Sequence, residues 1–250
     1  MDIIEIIGNL VLGGLLGLVG GIFGIGGGLI AIPALGIFFG LDQQLAQGTA
    51  LVMVVPNVLM SCWRYYQRNK INWRHALLLA SFSFALAWVG AKIAVGLDNQ
   101  QMRSIFVVFL VVLSVWTFIQ LRLSRSEGQD HVTQPWYALA GLGSFSGFVG
   151  GLFGVGGAVV ATPILTLFFG LTQVLAQGLS LSLAIPSTSV TLFTYAIHDQ
   201  INWTMGIPLA IGGILTVSYG VKIAHAMPQR LLRKLFAGFL LVSAVLLFNS

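Results

Sequence analysis

Two dense glycine clusters, Gly24-Ile25-Gly26-Gly27-Gly28 and Gly154-Val155-Gly156-Gly157, lie inside apolar stretches of the chain. Each Gly in a helix interior costs about 1 kcal/mol relative to Ala, so both clusters mark places where a helix should break. A helix restarting near Gly27 or Gly157 would point free N–H groups and about +0.5 charge of dipole into the break. Such an end binds an anion without a buried Lys or Arg. Neither cluster has the spacing of G-x-G-x-x-G after a strand or of G-x-x-x-x-G-K-[ST], which argues against nucleotide binding. A packing role stays open beside the anion role, because small residues such as Gly13, Gly17 and Gly21, four apart, let membrane helices approach closely.

Polar residues follow each cluster. Gln47 and Asn57 come after the first, and Gln177, Ser187 and Thr188 after the second. Pro33 and Pro163 sit just beyond the expected helix starts; Pro56 and Pro186 lie mid-segment, where they kink a helix and free the carbonyls of Val52 and Ser182. Either neighbouring side chains fill these kinks, or Asn57, Ser187 and Thr188 line a cavity beside them, since a lone polar group facing lipid is costly. All seven acids and all four His fall at or beyond segment ends, and Cys62 is the one cysteine. The sequence therefore offers no catalytic pair, no metal cluster, no cofactor motif and no mid-membrane carboxylate relay. It is read as a non-enzyme, with Cys62 as a small packing residue.

The elements that must position these groups are membrane helices. Of 250 residues, 57% are hydrophobic and 8% charged, and the mean hydropathy is +0.93. A soluble domain would carry about 25% charge. The twelve Lys and Arg sit at segment ends, which fits lipid headgroups better than nucleic acid. Asp2 and Glu5 replace the basic start of a removable signal peptide, so the first segment is expected to stay in the bilayer. Eight apolar segments occupy residues 10–39, 45–66, 73–95, 104–121, 136–169, 175–197, 203–226 and 231–248. Trp63, Trp73, Trp136 and Trp203 read as aromatic-belt anchors, and Lys92 and Lys222 as side chains that snorkel to the interface.

Residues 17–48 recur at 147–178, with 20 of 32 positions identical. The offset of 130 residues then holds for most of the chain, so we read one integral membrane domain made of repeats 1–130 and 131–250, joined by the polar linker 122–134. The first segment of each repeat has about 30 residues, or ~45 Å as one helix, against a ~30 Å hydrocarbon core. It is expected to break at the glycines into a re-entrant hairpin, followed by three transmembrane helices. Counting basic residues tests this. Single crossings throughout divide them six against six. Re-entrant hairpins invert the second repeat and gather Arg64, Arg68, Lys70, Arg74, Arg122, Arg125, Lys222, Arg230, Arg233 and Lys234 on one side, leaving Lys92 and Arg103 on the other. The positive-inside rule selects the inverted arrangement, with both termini outside and the linker in the cytoplasm.

The run G-G-I-F-G-I-G-G-G-x-x-x-x-P at 20–33, its echo G-G-L-F-G-V-G-G-x-x-x-x-x-P at 150–163, and A-Q-G at 46–48 and 176–178 resemble the TauE/SafE sulfite exporter family. The likeness covers both halves. It implies a bacterial inner-membrane exporter of small sulfur-containing anions such as sulfite, sulfoacetate or other organosulfonates, and carries over the Gly, Pro and Gln motif positions named above. An anion channel and a proton-coupled importer remain alternatives, as does any oligomeric state.

Overall fold

A computed structural model describes residues 3–68, 72–123, 132 and 134–248. Lys70, Arg125 and most of the 122–134 linker lie outside them, as do the side chains of Arg68, Arg122, Arg230 and Arg233. The described residues form ten helices and no strand: α1 (Ile3–Phe23), α2 (Gly28–Phe39), α3 (Gln43–Arg68), α4 (Trp73–Gly96), α5 (Asn99–Leu123), α6 (Trp136–Phe153), α7 (Ala158–Leu167), α8 (Gln173–Ile197), α9 (Trp203–Ala226) and α10 (Gln229–Phe248). Seven of them, α1, α3, α4, α5, α6, α8 and α9, are long and apolar enough to cross a bilayer.

The eight apolar segments become ten helices because the first of each repeat divides at its glycines. Helix α1 begins well before the apolar run at residue 10. Nothing breaks it until Gly24, so at 21 residues it measures about 32 Å, whereas the 12 residues of α2 measure about 18 Å. The two arms are therefore unequal. Polar caps set other boundaries: the Asn72 side chain accepts from the Arg74 N–H at 3.0 Å to start α4, and Asn202, its equivalent, accepts from Met205 N–H at 3.2 Å to start α9. Helices α3 and α8 continue through Pro56 and Pro186 without ending.

The repeats interleave. Helix α1 packs on α9 of the other repeat, with Gly13 against Leu209, Gly17 against Gly213 and Gly21 against Val217, so the two run parallel. Helix α6 packs on α4 in the equivalent way, with Gly143 against Leu79, Gly147 against Ser83 and Gly151 against Ala87. At the centre α3 and α8, equivalent in sequence, run antiparallel: the start of α3 meets the end of α8 at Gln47 and Tyr195, and the end of α3 meets the start of α8 at Tyr65 and Gln177. Helix α9 runs parallel to α3, since Asn202 lies at Thr49, Gly206 at Val52, Gly213 at Asn57 and Ser218 at Arg64.

Close backbone approach at these glycines supports one part of the packing reading. A Cβ at Gly17 would collide with the Gly213 backbone, whereas one at Gly141 would meet nothing within 4 Å. Gly17→Ala is expected to destabilise the protein in detergent by about 1–3 kcal/mol, as overpacking does. Gly141→Ala should leave it unchanged or raise it by up to ~1 kcal/mol through helix propensity. Equal thermal unfolding of the two variants would show that the α1–α9 contact carries no stability.

Candidate functional site

Both glycine turns lie at half-height on the central helices. Gly26 packs against Val54 and Val58 near the middle of α3, and Gly156 against Ala184 and Thr188 near the middle of α8. Helix α1 ends in a left-handed residue, Gly24, at φ 67°, and the Ile25 N–H reaches back to the Gly20 carbonyl at 3.1 Å. This six-residue closure is a Schellman cap, and it reverses the chain at once. Gly27 then starts α2 at φ 93° without a side-chain cap, and Gly157 starts α7, also without one. The two turns touch each other: a Cβ on Gly28 would lie 3.5 Å from Val155 Cα and 3.6 Å from the Gly154 carbonyl oxygen. All residues of both turns are buried.

Each turn is held by the opposite repeat. Gln177 of α8 lies against Gly24, and its Nε2 donates to the Phe23 carbonyl, in the last turn of α1, at 3.0 Å. Its Oε1 accepts from the Tyr65 hydroxyl at 2.7 Å. Gln47 of α3 lies against Gly154, and its Oε1 accepts from the Tyr195 hydroxyl at 2.7 Å. The pairing is symmetric up to this point. It then differs, because Gln47 Nε2 is a buried donor with no hydrogen-bond partner.

Asn57 donates from Nδ2 to the Gly26 carbonyl at 3.3 Å and packs against Gly213, while its Oδ1 is buried without a partner. Ser187, the equivalent of Asn57 in the second repeat, and the adjacent Thr188 behave differently. Their hydroxyls donate to the Ala184 carbonyl at 3.2 and 2.7 Å, so those protons are spent within α8, and the Thr188 methyl supports Gly156. Short hydroxyls beside a helix carbonyl commonly bond backwards in this way. Pro33 is buried within α2, and Pro163 faces an apolar cavity with Phe109, Trp116 and Phe168.

Thus Gly24, Gly26, Gly28, Gln47, Asn57, Gly154, Gly156 and Gln177 come together, with Gly27 and Gly157 at the helix starts. Tyr65 and Tyr195 belong with them but were not singled out from sequence. A signal existed: each lies 18 residues after its repeat's Gln, at the same offset of 130. Elsewhere Cys62 is buried, 3.8 Å from Ser182 Oγ. Lys92 lies over the Trp88 ring and Lys222 over Tyr219. No group of three His, Cys, Asp or Glu that could hold a metal occurs among the described residues.

Seven helices long and apolar enough to cross a bilayer, with a buried polar centre among them, define a multi-pass membrane protein. The chain belongs to the sulfite exporter TauE/SafE family, whose model matches residues 9–247. It is 28% identical to a "Probable membrane transporter protein" of Xylella fastidiosa strain Temecula1, covering 99% of this chain and 96% of that protein. Proteins described in the same words from Methanocaldococcus jannaschii and Bacillus subtilis are 25% and 22% identical, over 78% and 88% of this chain and 74% and 89% of theirs. The protein is a membrane transporter.

Proposed function

We propose that the protein exports small sulfur-containing anions, sulfite, sulfoacetate or another organosulfonate, across a bacterial inner membrane, binding the anion between its two repeats at the starts of α2 and α7. The observation that carries this reading is the meeting of two uncapped, glycine-built helix starts beside an unpartnered buried amide, Gln47 Nε2. Both helix dipoles and that N–H favour negative charge, and no buried cation is needed. The family and the names of the relatives agree with transport; the choice of anion follows from the family description.

In this reading α1–α2 and α6–α7 are re-entrant hairpins in inverted repeats. Support comes from the parallel course of α1, α9 and α3, from turns set at mid-height, and from the antiparallel pairing of α3 with α8. Export then needs no proton relay. An anion leaving a cell that is negative inside gains about 2.3 kcal/mol per charge per 100 mV, roughly a fifty-fold gradient. Alternating access of the two repeats around the turns would deliver it.

The test is efflux from proteoliposomes loaded with sulfite, thiosulfate, sulfonates or carboxylates. Saturable efflux of sulfite or a sulfonate, accelerated by an inside-negative potential, is expected. Flux only under an imposed proton gradient would replace the mechanism with coupled import, and unitary currents in a planar bilayer would make it a channel. Orientation has its own measurement. With Cys62 replaced, a cysteine at Gln200 should react with an impermeant maleimide only from outside the cell, and one at Gly128, beyond the described residues, only from inside. Labelling of both from one side would overturn the inverted arrangement.

A further inference from the structure

A polar cavity, away from the glycine turns, opens where α2 ends and α3 and α5 begin. It has a volume of about 560 Å³, and its lining includes Gly40, Asp42, Gln43, Asn99, Gln100 and Arg103. Gln43 is 7% exposed, and its Nε2 is a buried donor without a partner. A buried N–H left unpaired is costly, so a site that retains one in a polar cavity is arranged for an acceptor brought from outside. The half-buried Arg103 adds a permanent positive charge, and the exposed amides of Asn99 and Gln100 add neutral donors. Helix α3 contributes the positive end of its dipole at Gln43. The charges opposing an anion are Asp42, which lines the cavity, and Asp98, which is turned to the start of α5, accepting from the Gln100 N–H at 3.2 Å.

We propose that this cavity is a second oxyanion-binding site, in which Gln43 Nε2 and the Arg103 guanidinium hold a sulfonate, sulfite or phosphate group. Its role as the outer vestibule, where cargo leaving the glycine turns pauses before release, rests on the export reading; its ability to bind does not. Asp42 sets the strength. Its carboxylate offsets Arg103, so the anion is held loosely, as an exit requires. The second repeat has Thr172 in place of Asp42, and Arg230 and Arg233 in place of Gln100 and Arg103. The equivalent positions there are more basic and carry no acid, which suits an end where anions are gathered.

Equilibrium binding to the full chain in maltoside detergent tests the site, with radiolabelled sulfite as one probe and a radiolabelled short-chain phosphatidylglycerol as the other. Arg103→Gln and Gln43→Leu should each weaken the site about ten-fold, the scale of a lost charge-assisted or buried hydrogen bond. Asp42→Asn should tighten it roughly three-fold by removing a like charge. A gain of affinity cannot come from misfolding, so Asp42→Asn keeps the test sound if the other variants prove unstable. The probe that shows this pattern identifies the source, free anion or lipid phosphate. Binding of both probes that is unchanged in all three variants would overturn the site. Binding without flux in the wild type would keep this cavity and remove the export reading; flux with binding indifferent to the three variants would do the reverse.

Discussion

Gly27→Val should abolish sulfite efflux from proteoliposomes while the protein still inserts. Gly27 sits at φ 93°, where a β-branched side chain is strained by about 1–3 kcal/mol. Its Cβ would also lie 2.8 Å from the Leu16 carbonyl oxygen and 3.2 Å from the Met53 methyl. The flexible Met53 side chain can yield, but the α1 backbone cannot without moving the first turn of α2, whose N–H groups are the proposed anion donors. Gly157→Val should act through space alone, since φ there is an ordinary −62° but a Cβ would lie 2.6 Å from both the Ser146 carbonyl oxygen and the Leu183 side chain. Asn57→Leu should likewise remove flux, by releasing the Gly26 carbonyl. Insertion is checked by carbonate-resistant membrane association. Full flux from Gly27→Val would take the helix start out of the transport site and leave the glycines a packing role only.

The crossed Gln–Tyr pairs separate stability from transport. Gln177→Leu removes two hydrogen bonds, from its Nε2 to the Phe23 carbonyl and from the Tyr65 hydroxyl to its Oε1, so it should destabilise the protein by roughly 1–3 kcal/mol and lower its thermal unfolding temperature in detergent. Gln47→Leu orphans only the Tyr195 hydroxyl, and the double variant with Tyr195→Phe should recover most of that loss. Efflux should follow a different order. Gln47 brings an unspent N–H to the centre, so Gln47→Leu is expected to slow transport at least ten-fold, and Tyr195→Phe should not restore the rate even where it restores stability. Equal effects of the two Gln variants on both measurements would show that the unpartnered amide has no part in binding.

Much of this arrangement was legible in the residues. The glycine clusters announced a helix break, and α1 and α2 part at Gly24–Gly27. Gln47 and Gln177 were harder, because they stand near segment ends in sequence and reach the turns only by crossing to the other repeat. Tyr65 and Tyr195 were missed for the same reason: a hydroxyl within a mostly apolar helix reads as interfacial until the antiparallel course of α3 and α8 places it opposite a Gln. Ser187 and Thr188 show the opposite limit. Their types suggest ligand donors, but an O–H one turn from a helix carbonyl satisfies itself locally. The unequal lengths of α1 and α2 were also hidden, since the apolar run begins at residue 10 whereas the helix continues through the more exposed turns before it.

The packing of α1 on α9 has a consequence for biogenesis. Gly13 rests on Leu209, nearly 200 residues downstream. At about 5–20 residues per second, α1 leaves the ribosome roughly 10–40 s before its partner exists. During that interval its glycine face has only lipid or an insertase to lie against. A nascent chain stalled before residue 203 should therefore hold α1 in a protease-accessible state that release of the full chain removes.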